Sequence, residues 1–296
     1  IYIDHQLQTP SASWGAFVSD QCAALNVPCI VEAVKVQAGN VEQQAREARY
    51  QAYLKHLKPN EILVLAHHQQ DQAETLILRL LSGAGVQGLS AMKQVDIREH
   101  FSLWRPLLNI SREQICQWAA QLHVQNIEDP SNLNTDYDRA WCRHELWPML
   151  QNRYPKMQQA LSRTSYLMQD ADEILHDVLQ QDWVFCGTAV ELDLKKLSGL
   201  STARQRQLLS AWMKGQDRYR PSFEMVERLR YEVIESKSDA QAALHWNQYY
   251  HVRYQKKLFR LSAEEYLADK NQLDTLITTI QVQFKQSIQV LSGQYR

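Results

Sequence analysis

Residues 61–92 read EILVLAHHQQDQAETLILRLLSGAGVQGLSAM, and the fold class turns on them. Residues 62–65 are a short continuous apolar run, the pattern of a strand buried on both faces of a parallel sheet. The polar string His67, His68, Gln69, Gln70, Asp71 ends that run. Ala73, Leu76, Ile77, Leu80 and Leu81 then recur with the spacing of one apolar helix face. Gly83, Gly85 and Gly88 close the unit in a turn. Ligands of open α/β sheets sit where strands end and helices begin. His68, Asp71 and Glu74 stand at that expected mouth, and Asp71 and Glu74, three apart, share a helix face.

The same spacing supports plainer readings. Asp71 with Glu74 three residues on is also a capping-box pattern, with Asp71 in the Ser/Thr place, worth about 1 kcal/mol. His68, Asp71 and Glu74 could alternatively ligate zinc, although no fourth ligand is suggested nearby. Gly83, Gly85 and Gly88 either let backbone approach a nucleotide or stop a helix. Residues alone leave these alternatives open.

Outward from this stretch, residues 1–3 form a strand ending at Asp4-His5, followed by a helix over 13–25. Residues 29–36 are a second strand, rich in β-branched side chains. Asn40 caps a helix reaching about Leu57 that carries Arg46, Arg49 and Tyr50. Strands alternating with helices imply βαβ units and a parallel sheet. A further strand is expected over 103–107, and Ser111 with Gln114 opens a helix over 112–122. Residues 127–150, IEDPSNLNTDYDRAWCRHELWPML, begin as a loop rich in Asp and Asn and become helical near Asp138. One long helical pattern spans 155–184. Helices over 202–214 and 221–234 then alternate with strands over 190–194, 243–246, 249–253 and 258–261. The expected domains are therefore 1–155, an α/β parallel-sheet domain, 156–262, a mostly helical α+β domain, and 263–296, the start of a further segment.

A chain of 296 residues with 45% hydrophobic content suits two domains with sizeable cores. No apolar run approaches the roughly 20 residues of a membrane helix. Five scattered cysteines without CxxC spacing read as reduced thiols of a cytoplasm. A net charge of −1 is no general signal for nucleic acid, but residues 139–163 hold five Lys or Arg against one acid. Such blocks are either solvated helix faces or a polyanion track. The chain opens on Ile1, already in strand-like sequence, so residues preceding it are expected.

Several motifs occur in order: His5 after a strand, QARxxRY at 44–50, AHHQQDQAET at 66–75, SGAGVQGLSAM at 82–92 and IEDPSN at 127–132. With Tyr137-Asp138-Arg139, Arg143 and Pro148 the set resembles the tRNA(Ile)-lysidine synthetase family of the ATP-pyrophosphatase (PP-loop) superfamily. The likeness is close over 1–155 and looser to about 262. It implies an ATP-pyrophosphatase-type α/β domain and ATP- and Mg²⁺-dependent ligation of free lysine to the wobble cytidine of an isoleucine tRNA with a CAU anticodon. An adenylated cytidine forms first, and lysine then displaces AMP to give lysidine. By the resemblance His68, Asp71, Glu74 and Arg143 belong to the catalytic pocket, with Asp71 the candidate magnesium ligand. His5, Arg46, Arg49, Gly83, Gly85 and Gly88 would serve ATP. Glu128, Asp129, Asn132, Asp138 and Arg139 would meet tRNA or lysine. A homodimer in the cytoplasm completes the expectation.

The resemblance has gaps. The family's Ser-Gly-Gly-x-Asp-Ser phosphate loop is absent and is expected just upstream of Ile1, so the chain as written should be inactive. Gln70 stands where relatives carry an acid or Asn, and Ala140 where Asn is common. Two other readings remain: another PP-loop tRNA modifier such as a thiolase, disfavoured by the lack of paired cysteines, and a non-catalytic RNA-binding module.

Overall fold

A computed structural model describes residues 1–39, 41–98, 101–217, 219–237 and 242–267. The expected cap Asn40 and most of the expected segment 263–296 lie outside the described residues. The chain divides into two compact units, Ile1–Glu173 and Ile174–Arg296. Among the described residues no helix is long and apolar enough to cross a membrane.

In the first unit β1 (Tyr2–Asp4) leads into α1 (Ser11–Ala24) and β2 (Val31–Ala33), which pairs parallel to β1 with Tyr2 opposite Val31. Gly15 lies on the face of α1 that meets β1 and β2. A Cβ there would come within 3.2 Å of Val31 Cγ1, so the absent side chain permits the close approach. Next come α2 (Val41–His56), β3 (Ile62–Val64), α3 (Gln69–Leu81), α4 (Val86–Leu89), β4 (Val95–Ile97) and β5 (Ser102–Trp104). β3 pairs parallel to β5, as the βαβ pattern implies, while β4 pairs antiparallel on the far side of β5. The antiparallel β4 was not anticipated.

Burial corrects two expectations. β3 is covered on one face only: Leu63 is buried, whereas Ile62 and Val64 are 57% and 52% exposed. Successive side chains of a strand point to opposite faces, so the run 62–65 was apolar without being buried throughout. On α3, Ala73, Leu76 and Ile77 are buried but Leu80 and Leu81 are not, because the packed face ends a turn before the helix does. Ala73 and Ile77 instead join Cys142, Trp147 and Met157 in a core cluster. Those partners come from α6 (Asp138–Trp141), a π-helical turn (Cys142–Leu146), α7 (Trp147–Arg153) and α8 (Met157–Cys186). Between them and β5 lie α5 (Arg112–Gln121) and a 3₁₀ turn (Pro130–Leu133). α5 carries the expected capping box: Gln114 N donates to Ser111 Oγ (3.2 Å) and Ser111 N to Gln114 Oε1 (3.3 Å).

A buried glutamine ties this unit together. Gln72 Nε2 donates to Met92 O (2.8 Å) and to Ser165 Oγ (3.0 Å), while Met92 N donates to Gln72 Oε1 (2.9 Å). All of its polar atoms are satisfied, so its burial fixes α3 against the segment after α4 without an unpaired group.

The second unit is built on a four-stranded antiparallel sheet in the order β6 (Glu191–Asp193), β9 (Lys257–Ser262), β8 (Tyr249–Tyr254), β7 (Ala243–Trp246). Among the described residues the end of α8 accompanies it, with α9 (Leu194–Ser198), α10 (Thr202–Lys214), α11 (Phe223–Arg228), continued by a π-helical stretch (Leu229–Ile234), and α12 (Ala263–Leu267). Ser201 and Ser222 cap α10 and α11. The core gathers Leu192, Leu208, Trp212, Leu229 and Leu258, all fully buried.

Candidate active site

The α3 N-terminus holds the expected site residues His68, Asp71 and Glu74, and its cap differs from the expectation. His68, not Asp71, is the N-cap. Asp71 N donates to His68 Nδ1 (3.4 Å), and His68 N donates to Asp71 Oδ2 (3.0 Å). The capping box sits three residues earlier than the Asp71/Glu74 pattern suggested, and Asp71 fills its N3 place. One Asp71 oxygen is thereby committed to the helix. The other, Oδ1, lies 3.5 Å from Arg143 Nη2.

Glu74, one turn on, is fully buried and engaged by three donors. Arg143 Nε (2.9 Å) and Nη2 (2.8 Å) grip its two oxygens in a fork, and Gln70 Nε2 donates to Oε1 (3.0 Å). A bidentate guanidinium is the geometry in which a buried carboxylate is best compensated. The π-helical turn at Cys142–Leu146 aims Arg143 at α3, and the Cys142 side chain, packed on Ala73 and Ile77, holds the turn in place. Burial pushes the Cys142 thiol up to about 11, Glu74 adding to the effect, so the sulfur behaves as a core apolar group.

Asp71 and Arg143 face a cleft of about 970 Å³. Its lining includes His5 after β1, Arg49 on α2, Asp129, Asn132, Arg139, Tyr137 of the same motif and, not anticipated, Asp4, Tyr2 and Trp14. Arg49 Nε donates to His5 Nε2 (3.4 Å). Burial, and then the Arg49 charge, lower the His5 pKa, so the ring is neutral near pH 7 and carries its proton on Nδ1, a buried atom with no partner. Arg139 Nη2 donates to Thr75 Oγ1 (3.2 Å). The loop bearing Asp129 holds itself by side-chain turns: Ser131 N and Oγ both donate to Asp129 Oδ1 (2.8 and 2.7 Å). His144 Nε2 lies 2.9 Å from Asn132 O and donates to it.

Other expected residues are placed elsewhere. Arg46 stacks its guanidinium on the Tyr50 ring (5.1 Å to the centroid) and does not line the cleft. Glu128 and Asp138 are exposed outside it. Gly83, Gly85 and Gly88 do not reach it either. Gly83 takes φ +75° just after α3, and Arg79 Nη1 pins the turn by donating to Gly88 O (2.8 Å) and Ala91 O (3.0 Å). Gly83 follows the end of α3, whereas Gly85 is the N-cap of α4 and Gly88 lies within α4. Among the described residues no three His, Cys, Asp or Glu side chains stand together as a metal site, which removes the zinc set His68, Asp71, Glu74.

Asp4, Tyr2 and Trp14 escaped the sequence reading, although the position of Asp4 next to His5 at a strand end was a usable signal. Chemically, the cleft gathers several fixed cations and sets the Asp71 carboxylate beside one of them, Arg143. That arrangement suits phosphate oxygens beside an amine.

Comparison with known proteins agrees with the two units. Residues 1–150 match the PP-loop domain family and residues 192–259 match the TilS substrate binding domain. A tRNA(Ile)-lysidine synthase of Acinetobacter baylyi is 56% identical over 98% of this chain and 63% of its own length. Enzymes of the same name from Proteus mirabilis (39% identity, 91% of this chain, 62% of that protein) and Psychrobacter sp. (33%, 88% and 56%) also match. The chain thus spans about three fifths of the curated relatives it matches. On the match across its first half, this chain belongs to the PP-loop domain family.

Proposed function

We propose that this chain is part of an enzyme that joins free lysine to C2 of the wobble cytidine of an isoleucine tRNA with a CAU anticodon, using ATP. The observation that carries the reading is the succession, in one chain, of a PP-loop domain and a TilS substrate binding domain, shared with relatives named for that reaction. In the first step cytidine O2 attacks the α-phosphorus of ATP, pyrophosphate leaves, and an adenylated cytidine forms. In the second, the lysine amine attacks C2 and AMP departs.

Each step asks something of the cleft. Charge developing on phosphate oxygens needs fixed donors, and Arg49, Arg139 and Arg143 supply them in a setting that requires little reorganisation. The attacking amine must lose its proton, so it needs a carboxylate that first attracts the ammonium and then accepts a proton. Asp71 is the carboxylate we assign to this role: it lines the cleft with Oδ1 beside Arg143, while Oδ2 caps α3. Glu74 acts through Arg143: its buried carboxylate orients the guanidinium. Asp129, Asn132 and Tyr137 supply the loop wall that would meet the tRNA base or lysine. His68 holds Asp71 in place.

Magnesium enters this reading only with the nucleotide. Asp71 is a single carboxylate, and magnesium commonly takes one or two carboxylates plus phosphate oxygens and water. Among the described residues no three His, Cys, Asp or Glu side chains stand together, so Asp71 would hold the ion only alongside phosphate oxygens and water. A cytoplasmic setting fits five cysteines that are all free thiols.

The test is incorporation of labelled lysine by the full-length parent with ATP, using isoleucine and methionine tRNA transcripts that share the CAU anticodon. Label on the isoleucine transcript alone supports the reading. Tight tRNA binding without label on either would leave an RNA-binding module instead.

A further inference from the structure

Two of the five cysteines are held side by side at the end of α1. The helix stops in a left-handed cap: Asn26 takes a φ of 56°, its N donates to Ala23 O (3.0 Å), and Val27 N donates to Cys22 O (2.9 Å). The cap turns the chain back along the helix. Tyr2 N then donates to Ile30 O (2.8 Å), which fixes the residues entering β2 against β1. Cys29 sits between these two anchors. Ser19 Oγ donates to Cys29 Sγ (3.7 Å), and Ser19 and Cys22, three apart on α1, share the face that Cys29 covers. Partial burial, then a hydrogen bond with Cys29 and the Cys29 charge, raise the Cys22 pKa, so the two sulfurs are neighbours. Both thiols are half-buried, and Leu25 and Val27 beside them are exposed. The remaining cysteines differ. Cys142 and Cys186 are core thiols pushed up to about 11, chiefly by burial, and Cys116 is exposed on α5.

Two adjacent thiols that solvent reaches, each on an anchored segment, are arranged for joining with little loss of freedom. We infer that Cys22 and Cys29 form a reversible disulfide when a peroxide reaches them, clamping the end of α1 to the residues entering β2. The thiolate of one cysteine attacks a peroxide oxygen, the O–O bond breaks, and the departing oxygen takes up the proton the thiol gave up and leaves as water. The sulfur of the other cysteine then attacks the resulting sulfenic acid. The S–S bond forms, and the sulfenic oxygen departs with the second thiol's proton as another water. Two thiols are oxidised and one peroxide is reduced, with no other reactant required. A thiol reductant reverses the reaction by exchange. The clamp bears on the cleft because α1 lines it with Trp14, Phe17 and Val18. Oxidation therefore restrains one of its walls.

Disulfide formation here is independent of the ligase reading. It is tested by treating the 296-residue chain with hydrogen peroxide and mapping its peptides by mass spectrometry without reductant. Cys22→Ser and Cys29→Ser are treated alongside, with melting under reducing conditions as the check on folding. The expected result is a link between the Cys22 and Cys29 peptides within one chain, undone by dithiothreitol and absent from both variants. Cys142 and Cys186 should remain thiols. Hydrogen exchange in the last turn of α1 should slow by roughly tenfold or more on oxidation and recover on reduction, because the bridge removes open states of a short loop. In both variants peroxide should leave that exchange unchanged. Cys22 and Cys29 still alkylated in full after peroxide, a link found only between chains, or oxidation of either sulfur beyond the sulfenic acid without a link would overturn the inference. So would a link that leaves the α1 exchange as fast as before, since no clamp would then exist.

Discussion

Removing Arg143 should open α3 before it affects anything else in the first unit. Glu74 is fully buried, and Arg143 supplies two of its three hydrogen bonds, the third coming from Gln70. Arg143→Ala therefore leaves a buried carboxylate facing only an amide. Breaking a buried pair from one side costs about 3–5 kcal/mol. Arg143 retains 27% side-chain exposure, so water can reach part of the vacated space and the lower end, about 3 kcal/mol, applies. With two units in the chain a single unfolding free energy is ill-defined, so the readout should be local. Hydrogen exchange of the α3 amides serves: about 3 kcal/mol corresponds to exchange faster by roughly a hundredfold. The double variant Arg143→Ala with Glu74→Gln removes the unpaired charge and keeps an acceptor for Gln70, so it should recover most of the loss. Acceleration of less than about tenfold in Arg143→Ala, or no recovery in the double variant, would refute the view that Glu74 is held by Arg143.

Asp71→Ala should cost about 1 kcal/mol through the lost capping box and also abolish lysine incorporation in the full-length parent. Asp71→Asn should keep the cap and still lose incorporation, which melting and labelling together would reveal. In the second unit His251 is fully buried, and burial is the main cause of a pKa lowered from 6.5 to about 4. The unfolded chain binds a proton below pH 6.5 that the folded site refuses. The stability this contributes is thus complete above pH 6.5 and falls by about 3 kcal/mol as pH drops towards 4. Melting across that window, with His251→Phe flattening the acid limb, checks the sign. Gly187→Ala drives a Cβ into the backbone carbonyl of Glu191 and should destabilise the second unit by about 2 kcal/mol or more, seen as faster exchange in β6. Gly85→Ala meets no atom within 4 Å and lies off the cleft, so melting and lysine incorporation should both be unchanged.

These expectations separate what local sequence reveals from what it hides. α3 was legible because apolar residues recur at helical spacing, and Ala73, Leu76 and Ile77 are indeed buried. The same periodicity extended the face to Leu80 and Leu81, since a period reports which residues share a side and not where the covering elements end. The cap was read three residues late because histidine is an unusual N-cap and the Asp71/Glu74 spacing imitates the common pattern. β4 holds three residues, Val95–Ile97, too few to show alternation, so its antiparallel pairing was invisible. Arg143 and Glu74 were both singled out, but their pairing was not, because they lie 69 positions apart and the π-helical turn that brings them together has no signature in the local pattern. The glycines of 83–88 carried an ambiguity that only placement resolves: the Arg79 bonds show a pinned turn.

The cleft carrying Asp71 and Arg143 is proposed above to serve a lysine-to-cytidine ligase. The most direct measurement is nucleoside mass analysis of isoleucine tRNA after incubation with the full-length parent, ATP and isotopically labelled lysine, alongside Asp71→Asn. The account predicts loss of the wobble cytidine and appearance of one nucleoside carrying the lysine label, in the parent enzyme and not in the variant. Unmodified cytidine with both proteins, or the labelled nucleoside with both, would contradict it.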